Sequence, residues 1–275
     1  MTATIARIAV IGAGLMGGGI AAVSLAGGFT VTAYDLDTAM LDRATQRARK
    51  AAGEEAIARW RATTDLAEAV RDADLVIEAV PERLALKREV FAMIDRYAPA
   101  HAVLATNTSE LSVTAIATAC DNPARIAGMH WFNPPERMRL VEIVRGVRSS
   151  EESIEAINAV ALRLGKETVV VKDTQGFVTS RAVAALIIEC IRMLEEGVAG
   201  AEDIDKAIRL GLNHPMGPIE LADYVGLDTM VLVGEGLREA FGERFNPPQT
   251  VRKLVEAGFL GRKSGRGFYS YDERR

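Results

Sequence analysis

Glu142 sits in a predicted strand, Leu140-Val141-Glu142-Ile143-Val144, and His130 ends another that runs from Arg125 to His130. A carboxylate among aliphatic residues in a buried strand costs several kcal/mol unless something pairs with it. An imidazole at the mouth of the neighbouring strand can be that partner, and a histidine backed by a buried carboxylate is a general-base arrangement. The other histidines suit the role less well. His101 opens a strand at the wrong edge of the sheet, and His214 precedes a Pro-Met-Gly-Pro turn, where a structural role fits better. A polar cluster, Thr106-Asn107-Thr108-Ser109, follows the strand from His101 to Ala105. Such clusters commonly make turns and helix caps. Position gives this one a second reading, because ligands of open parallel sheets bind beyond the carboxyl ends of the strands, and Gly12, Glu82, Ser109 and His130 all follow strand ends.

The elements that must place these residues begin at the first strand, Ile5 to Ile11, a mostly apolar run suited to burial on both faces. Gly12-Ala13-Gly14-Leu15-Met16-Gly17 follows, a GxGxxG fingerprint opening a helix from Leu15 to about Ala26. Gly12 permits the tight turn, Gly14 admits a pyrophosphate, and Gly17 lets helix and sheet pack closely. The free amides of Leu15 and Met16 lie at the positive helix end. Thr30 to Tyr34 is the next strand and Asp35 closes it, where an acid accepts hydrogen bonds from a ribose and repels a 2′-phosphate. NAD rather than NADP is the expected cofactor. Asp35 as a turn residue and helix cap is the structural alternative.

The β–α alternation continues through Asp74 to Val80, a helix from Arg83 to Tyr97, a helix from Ser150 to Leu164 and a last strand from Glu167 to Val171. Thr38 to Arg61 reads as one long, largely exposed helix, and its Arg43, Arg47, Arg49, Lys50, Arg59 and Arg61 suit either a solvated face or a contact with a phosphorylated substrate. Beyond Asp173 only helical patterns appear: Gly176 to Glu196, Ala201 to Leu210, Asp228 to Phe241 and Pro248 to Ala257. The predicted fold is therefore α/β, with a Rossmann-type dinucleotide-binding domain over residues 1–174 and an all-helical domain over residues 175–275. The first of those helices is apolar nearly all round, which suggests a subunit interface.

Composition narrows the class. A net charge of −4 argues against a nucleic-acid partner, and no apolar run is long enough to span a membrane. Met1-Thr2-Ala3-Thr4 leads straight into a strand without a signal peptide, so a cytoplasmic protein is expected. Cys120 and Cys190 lie in apparently helical segments and read as small core residues, with no metal site.

The motifs GAGLMG, EAVPE, NTSEL, MHWFNPP with LVEIV, DTQGF, HPMGPIELADYVGLDT and GRKSGRGFY, in this order, resemble those of the 3-hydroxyacyl-CoA dehydrogenases nearly end to end. The resemblance implies NAD-dependent oxidation of a short-chain (S)-3-hydroxyacyl-CoA and a homodimer formed through the helical domain. It implies His130 as base, Glu142 as its orienting partner and Ser109 as a donor to the substrate's 3-oxygen, with Asn133 and Ser180 as further substrate contacts. It also implies Asp35, Glu82, Lys87 and Asn107 as NAD contacts. Two features depart from the family pattern. Gln175-Gly176-Phe177 and Ser180 stand where Pro-Gly-Phe and an asparagine are usual, and the helical arm that helps hold coenzyme A is abbreviated to about Thr38–Thr64. Other readings of the same residues are a dehydrogenase of a free hydroxy acid, of gulonate or carnitine type, and a non-catalytic NAD-binding structural protein.

Overall fold

The computed structural model describes residues 5–271 of the chain. The chain divides into two compact units, 1–174 and 175–275. In the first, an eight-stranded sheet has the order β3-β2-β1-β4-β5-β6-β7-β8. Its strands are β1 (Arg7–Ile11), β2 (Thr30–Tyr34), β3 (Trp60–Thr63), β4 (Leu75–Glu78), β5 (Val103–Thr106), β6 (Ile126–Trp131), β7 (Leu140–Arg145) and β8 (Glu167–Lys172). The central strands are buried on both faces, as their aliphatic composition requires. Helices α1 (Leu15–Ala26), α2 (Thr38–Ala52), α3 (Leu66–Val70), α4 (Leu84–Tyr97), α5 (Val113–Ala117) and α6 (Glu151–Arg163) connect them. Ile20, Leu25 and Phe29 pack with Ile8, Val10 and Val31 in the main core. All neighbouring strands run parallel except β6 and β7, which are antiparallel, so the sheet is mixed rather than uniformly parallel.

Several expected elements change. The long helix from Thr38 ends at Ala52, where Gly53 takes a φ of 83°; a short 3-10 turn (Glu55–Arg59) then leads into β3, which adds to the sheet edge beside β2. A glycine in the left-handed region breaks a helix at little steric cost, whereas a short, half-exposed edge strand leaves almost no periodic signal. His130 lies inside β6, not beyond its end. Cys120 is in a turn after α5, while Cys190 is in a helix; both are free.

The second unit comprises α7 (Thr179–Glu195), α8 (Ala201–Gly211), α9 (Pro218–Val225), α10 (Leu227–Phe241) and α11 (Gln249–Glu256). Helix α9, whose Pro and Gly neighbours read as a turn, begins with Pro218 at its first position, where a missing N–H costs nothing. Two buried aspartates tie this unit together. Asp205 accepts the amides of Ile219 and Glu220 at 2.7 and 2.8 Å and the Tyr269 hydroxyl at 2.8 Å. Asp223 accepts the amides of Phe268 and Tyr269 at 3.0 and 2.9 Å and the Tyr271 hydroxyl at 3.0 Å. A Cβ at Gly217 would stand 2.2 Å from the Asp205 Cγ, and one at Gly267 would stand 2.0 Å from the Asp223 Oδ1. The glycines of the HPMGPIE and GRGFY motifs thus exist to let carboxylates reach backbone amides. No helix among the described residues is long and apolar enough to cross a membrane.

Candidate active site

Where β1 gives way to α1, Gly12 has a φ of 95° and donates its N–H to Tyr34 O at 2.8 Å. Added Cβ atoms at Gly12 and Gly17 would stand 2.8 Å from Ala79 O and 1.7 Å from Gly12 O, so neither position tolerates a side chain. At Gly14 nothing lies within 4 Å of the added Cβ. That open side adjoins the uncapped N-terminus of α1, which has no acidic residue in its first turn, so the amides there can receive a pyrophosphate. Asp35 Oδ2 accepts the Ala13 amide at 2.7 Å and its Oδ1 the Asp37 amide at 3.0 Å, fixing the carboxylate at the mouth of the glycine turn. The cap of α2 is Asp37, which accepts the Ala39 amide, so Asp35 serves as a turn residue here but not as the helix cap.

At the ends of β4 and β5, Lys87 is fully buried on α4. Its Nζ lies 2.7 Å from Glu78 Oε1, 3.1 Å from Val80 O and 3.3 Å from Glu82 Oε2. These contacts surround the buried ammonium with two carboxylates and a carbonyl. Glu82 Oε1 in turn accepts the Thr108 hydroxyl at 2.5 Å, the Ser109 amide at 2.8 Å and the Glu110 amide at 3.3 Å. This clamp shapes the turn and leaves Ser109 exposed. Asn107 Oδ1 accepts the Trp131 amide at 2.9 Å, joining the end of β5 to the end of β6.

His130 and Glu142 pair directly across the antiparallel β6–β7 ladder. His130 Nδ1 lies 2.7 Å from Glu142 Oε2, with the two residues 4% and 0% exposed. The Phe132 ring packs on the imidazole at 4.5 Å between centroids. With Nδ1 against a carboxylate, the Glu142 contact favours the tautomer that carries its proton on Nδ1. Asn133 follows in the same segment, before a cis bond to Pro134. Ser180 lies in the first turn of α7, whose cap position is Val178, so Ser180 does not cap that helix.

A groove of about 860 Å3 runs between the C-terminal ends of α1, α2 and α6 and the Pro134–Arg137 segment. Its cations are Arg47, Lys50, Arg137, Arg163 and Lys166, against one acid, Glu136. Arg47 is committed, since its guanidinium is paired with Glu136 and it donates to Leu15 O at 2.5 Å. Lys166 donates to Pro135 O and Met138 O at 2.6 and 2.8 Å. Burial pushes its pKa down, and Glu136 opposes that. Arg163 stacks over the Phe29 ring at 4.0 Å. The basic surface expected on α2 alone is thus shared with Arg137, Arg163 and Lys166, which lie far from α2 in sequence.

A family model for the NAD-binding domain of 3-hydroxyacyl-CoA dehydrogenase matches residues 7–174, and one for that enzyme's C-terminal domain matches residues 176–271. The chain belongs to the 3-hydroxyacyl-CoA dehydrogenase family. Among curated relatives, the 3-hydroxybutyryl-CoA dehydrogenase of Mycobacterium tuberculosis is 41% identical, with 98% of this chain and 100% of that protein covered. The human mitochondrial hydroxyacyl-coenzyme A dehydrogenase is 39% identical over 96% of this chain and 91% of its own length. Among solved structures, the (S)-3-hydroxybutyryl-CoA dehydrogenase of Ralstonia eutropha superposes with a TM-score of 0.92 at 36% identity, covering 98% of this chain and 100% of the other. Within the 3-hydroxyacyl-CoA dehydrogenase frame, the fingerprint, the Ser109 turn and the His130–Glu142 pair all belong to the NAD-binding domain.

Proposed function

We propose that this protein interconverts a short-chain (S)-3-hydroxyacyl-CoA and its 3-oxoacyl-CoA with NAD. The observation that carries the reading is the buried His130–Glu142 hydrogen bond of 2.7 Å in the NAD-binding domain. NAD supplies the hydride acceptor when bound. His130 Nε2 takes the proton of the 3-hydroxyl as the C–H bond breaks, a role typically worth roughly 100- to 10,000-fold. Glu142, on Nδ1, holds the imidazole in the tautomer whose Nε2 is the accepting nitrogen, and it stabilises the imidazolium that results. The Ser109 hydroxyl, on a turn clamped by Glu82, donates to the developing charge on the 3-oxygen. Asn133 and Ser180 are the further substrate contacts in this reading.

The remaining assignments follow the same frame. The Gly14, Leu15 and Met16 backbone receives the pyrophosphate and Asp35 the adenine ribose, which sets NAD above NADP. The groove of α2 and α6 suits the phosphates of coenzyme A, with Lys50, Arg137 and Arg163 as the cations that no carboxylate holds among the described residues. A homodimer through the helical unit is supported by exposed Leu210, Leu212, Tyr224, Val225 and Leu232 on that unit. Free thiols at Cys120 and Cys190 suit a reducing cytoplasm.

The test is oxidation of NADH, and separately of NADPH, with acetoacetyl-CoA, free acetoacetate and 3-dehydrogulonate as oxidants. Strong preference for acetoacetyl-CoA with NADH is expected. Equal or better turnover of a free acid would move the assignment to a hydroxy-acid dehydrogenase, and no turnover of any would move it to a structural NAD-binding protein.

A further inference from the structure

Carboxyl groups outnumber cations where β4 and β5 end. Lys87 is already shared by Glu78 and Glu82. Glu110, next to Ser109, brings a third carboxyl to the same place, and its Oε2 is buried and meets no hydrogen-bond partner. The Glu110 backbone N–H nevertheless belongs to the clamp, as the longest of the donors to Glu82 Oε1 at 3.3 Å. Glu110 is thus bound to Glu82 through its main chain and repelled by it through its side chain whenever both are ionised.

We propose that Glu110 is a positioning residue for the dehydrogenase reaction: with its carboxyl protonated the Glu82 clamp holds the Ser109 turn closed, and with it ionised the clamp loosens and substrate binds more weakly. This rests on the reading of the chain as a hydroxyacyl-CoA dehydrogenase in which Ser109 meets the substrate oxygen. The charged groups bearing on the turn are Glu82 from the segment after β4, Lys87 from α4 behind it, and Asp173 just after β8. Asp173 accepts the Ser112 hydroxyl and the Val113 and Thr114 amides on the far side of the same turn. None of them offers Glu110 a donor. Burial, and then the charge of Glu82, push the Glu110 pKa up to about 7, so the change of state falls at neutral pH.

Ionisation adds a further negative charge beside a lysine that Glu78 and Glu82 already share. The Glu110 side chain then gains by moving toward water, and it takes with it the amides of Ser109 and Glu110 that Glu82 holds. Turnover of bound substrate draws on Ser109 as well as His130, so loosening the turn raises KM and lowers kcat together.

The experiment compares wild type, Glu110→Gln and Glu110→Asp. KM and kcat for acetoacetyl-CoA with NADH are measured between about pH 6 and about pH 8.5, and the Ser109 amide resonance is followed over the same range. In the wild type KM should rise and kcat fall across that range, so that kcat/KM drops at least about threefold more than in Glu110→Gln. The Ser109 amide should titrate near neutral pH in the wild type and in Glu110→Asp, and lose that titration in Glu110→Gln. Circular dichroism establishes that each variant is folded. Superposable KM profiles for wild type and Glu110→Gln, or a Ser109 amide indifferent to the substitution, would overturn the proposal. A protein inactive on acetoacetyl-CoA whose Ser109 amide still titrates only when an acid stands at 110 would instead defeat the substrate reading and support the clamp.

Discussion

Glu142 faces His130 because β7 returns antiparallel to β6 in a register that sets the two residues directly opposite each other, with Nδ1 and Oε2 2.7 Å apart. Both side chains are shielded from water, so the interaction is little screened and neither partner can be removed without exposing the other to an apolar setting.

The first prediction concerns that pair. His130→Gln should lower kcat by at least about a hundredfold with NADH affinity, read by fluorescence, nearly unchanged, because the proton moves only in the chemical step. Glu142→Gln should follow it in direction. Near-normal turnover in the His130 variant would require another base.

A second prediction separates the groove's cations by their partners. Reversing Arg137 and Arg163 to glutamate should raise KM for acetoacetyl-CoA several-fold, most at low ionic strength, and leave a pantetheine-truncated substrate unaffected. Arg47→Glu should also lower the melting temperature, since Arg47 ties α2 to Glu136 and Leu15. An unchanged KM in the double reversal would remove the groove from substrate binding.

The third prediction is a pH dependence of stability. Although burial pushes its pKa up, Asp74 is held well below the usual carboxylate range by hydrogen bonds from the Arg7 side chain, from the Ala6 and Arg7 amides, and from His101. A depressed carboxylate contributes stability above its unfolded pKa and loses it as pH falls through the folded one. Asp74→Asn should therefore cost on the order of 1–3 kcal/mol near neutral pH, and the gap to wild type should close in acid. Urea unfolding at several pH values reads it directly; a gap constant down to about pH 2 would refute the coupling.

The fourth prediction tests the helical unit. Gly267→Ala places a methyl group 2.0 Å from Asp223 Oδ1 and should destabilise by roughly 2–4 kcal/mol, whereas Gly258→Ala, with open space around it, should cost less through backbone strain alone. Equal losses at both positions in thermal melts would show that the carboxylate can move aside.

The sequence by itself determined the parts of this protein that depend on near neighbours. The glycine turn, the apolar strands around it and the closing Asp35 are a local pattern, because φ at Gly12 and the start of α1 are set by the residues at hand. The helical C-terminal domain was legible for the same reason, apart from α9, whose flanking Pro and Gly imitate a turn. Glu142 is legible as a charge in an aliphatic strand that needs a partner, with His130 as the candidate. Only the tertiary structure decided that β6 and β7 run antiparallel, which turns two suspicious residues into a hydrogen-bonded pair. It alone joined Arg137, Arg163 and Lys166 to α2, and aimed Asp205 and Asp223 at distant amides. The edge strand β3 also needed it, since Trp60–Thr63 becomes a strand by pairing with β2 rather than by its own alternation. Strand direction, register and the meeting of charges across long loops follow from which surfaces are buried together, and a single sequence carries no periodic signal for that.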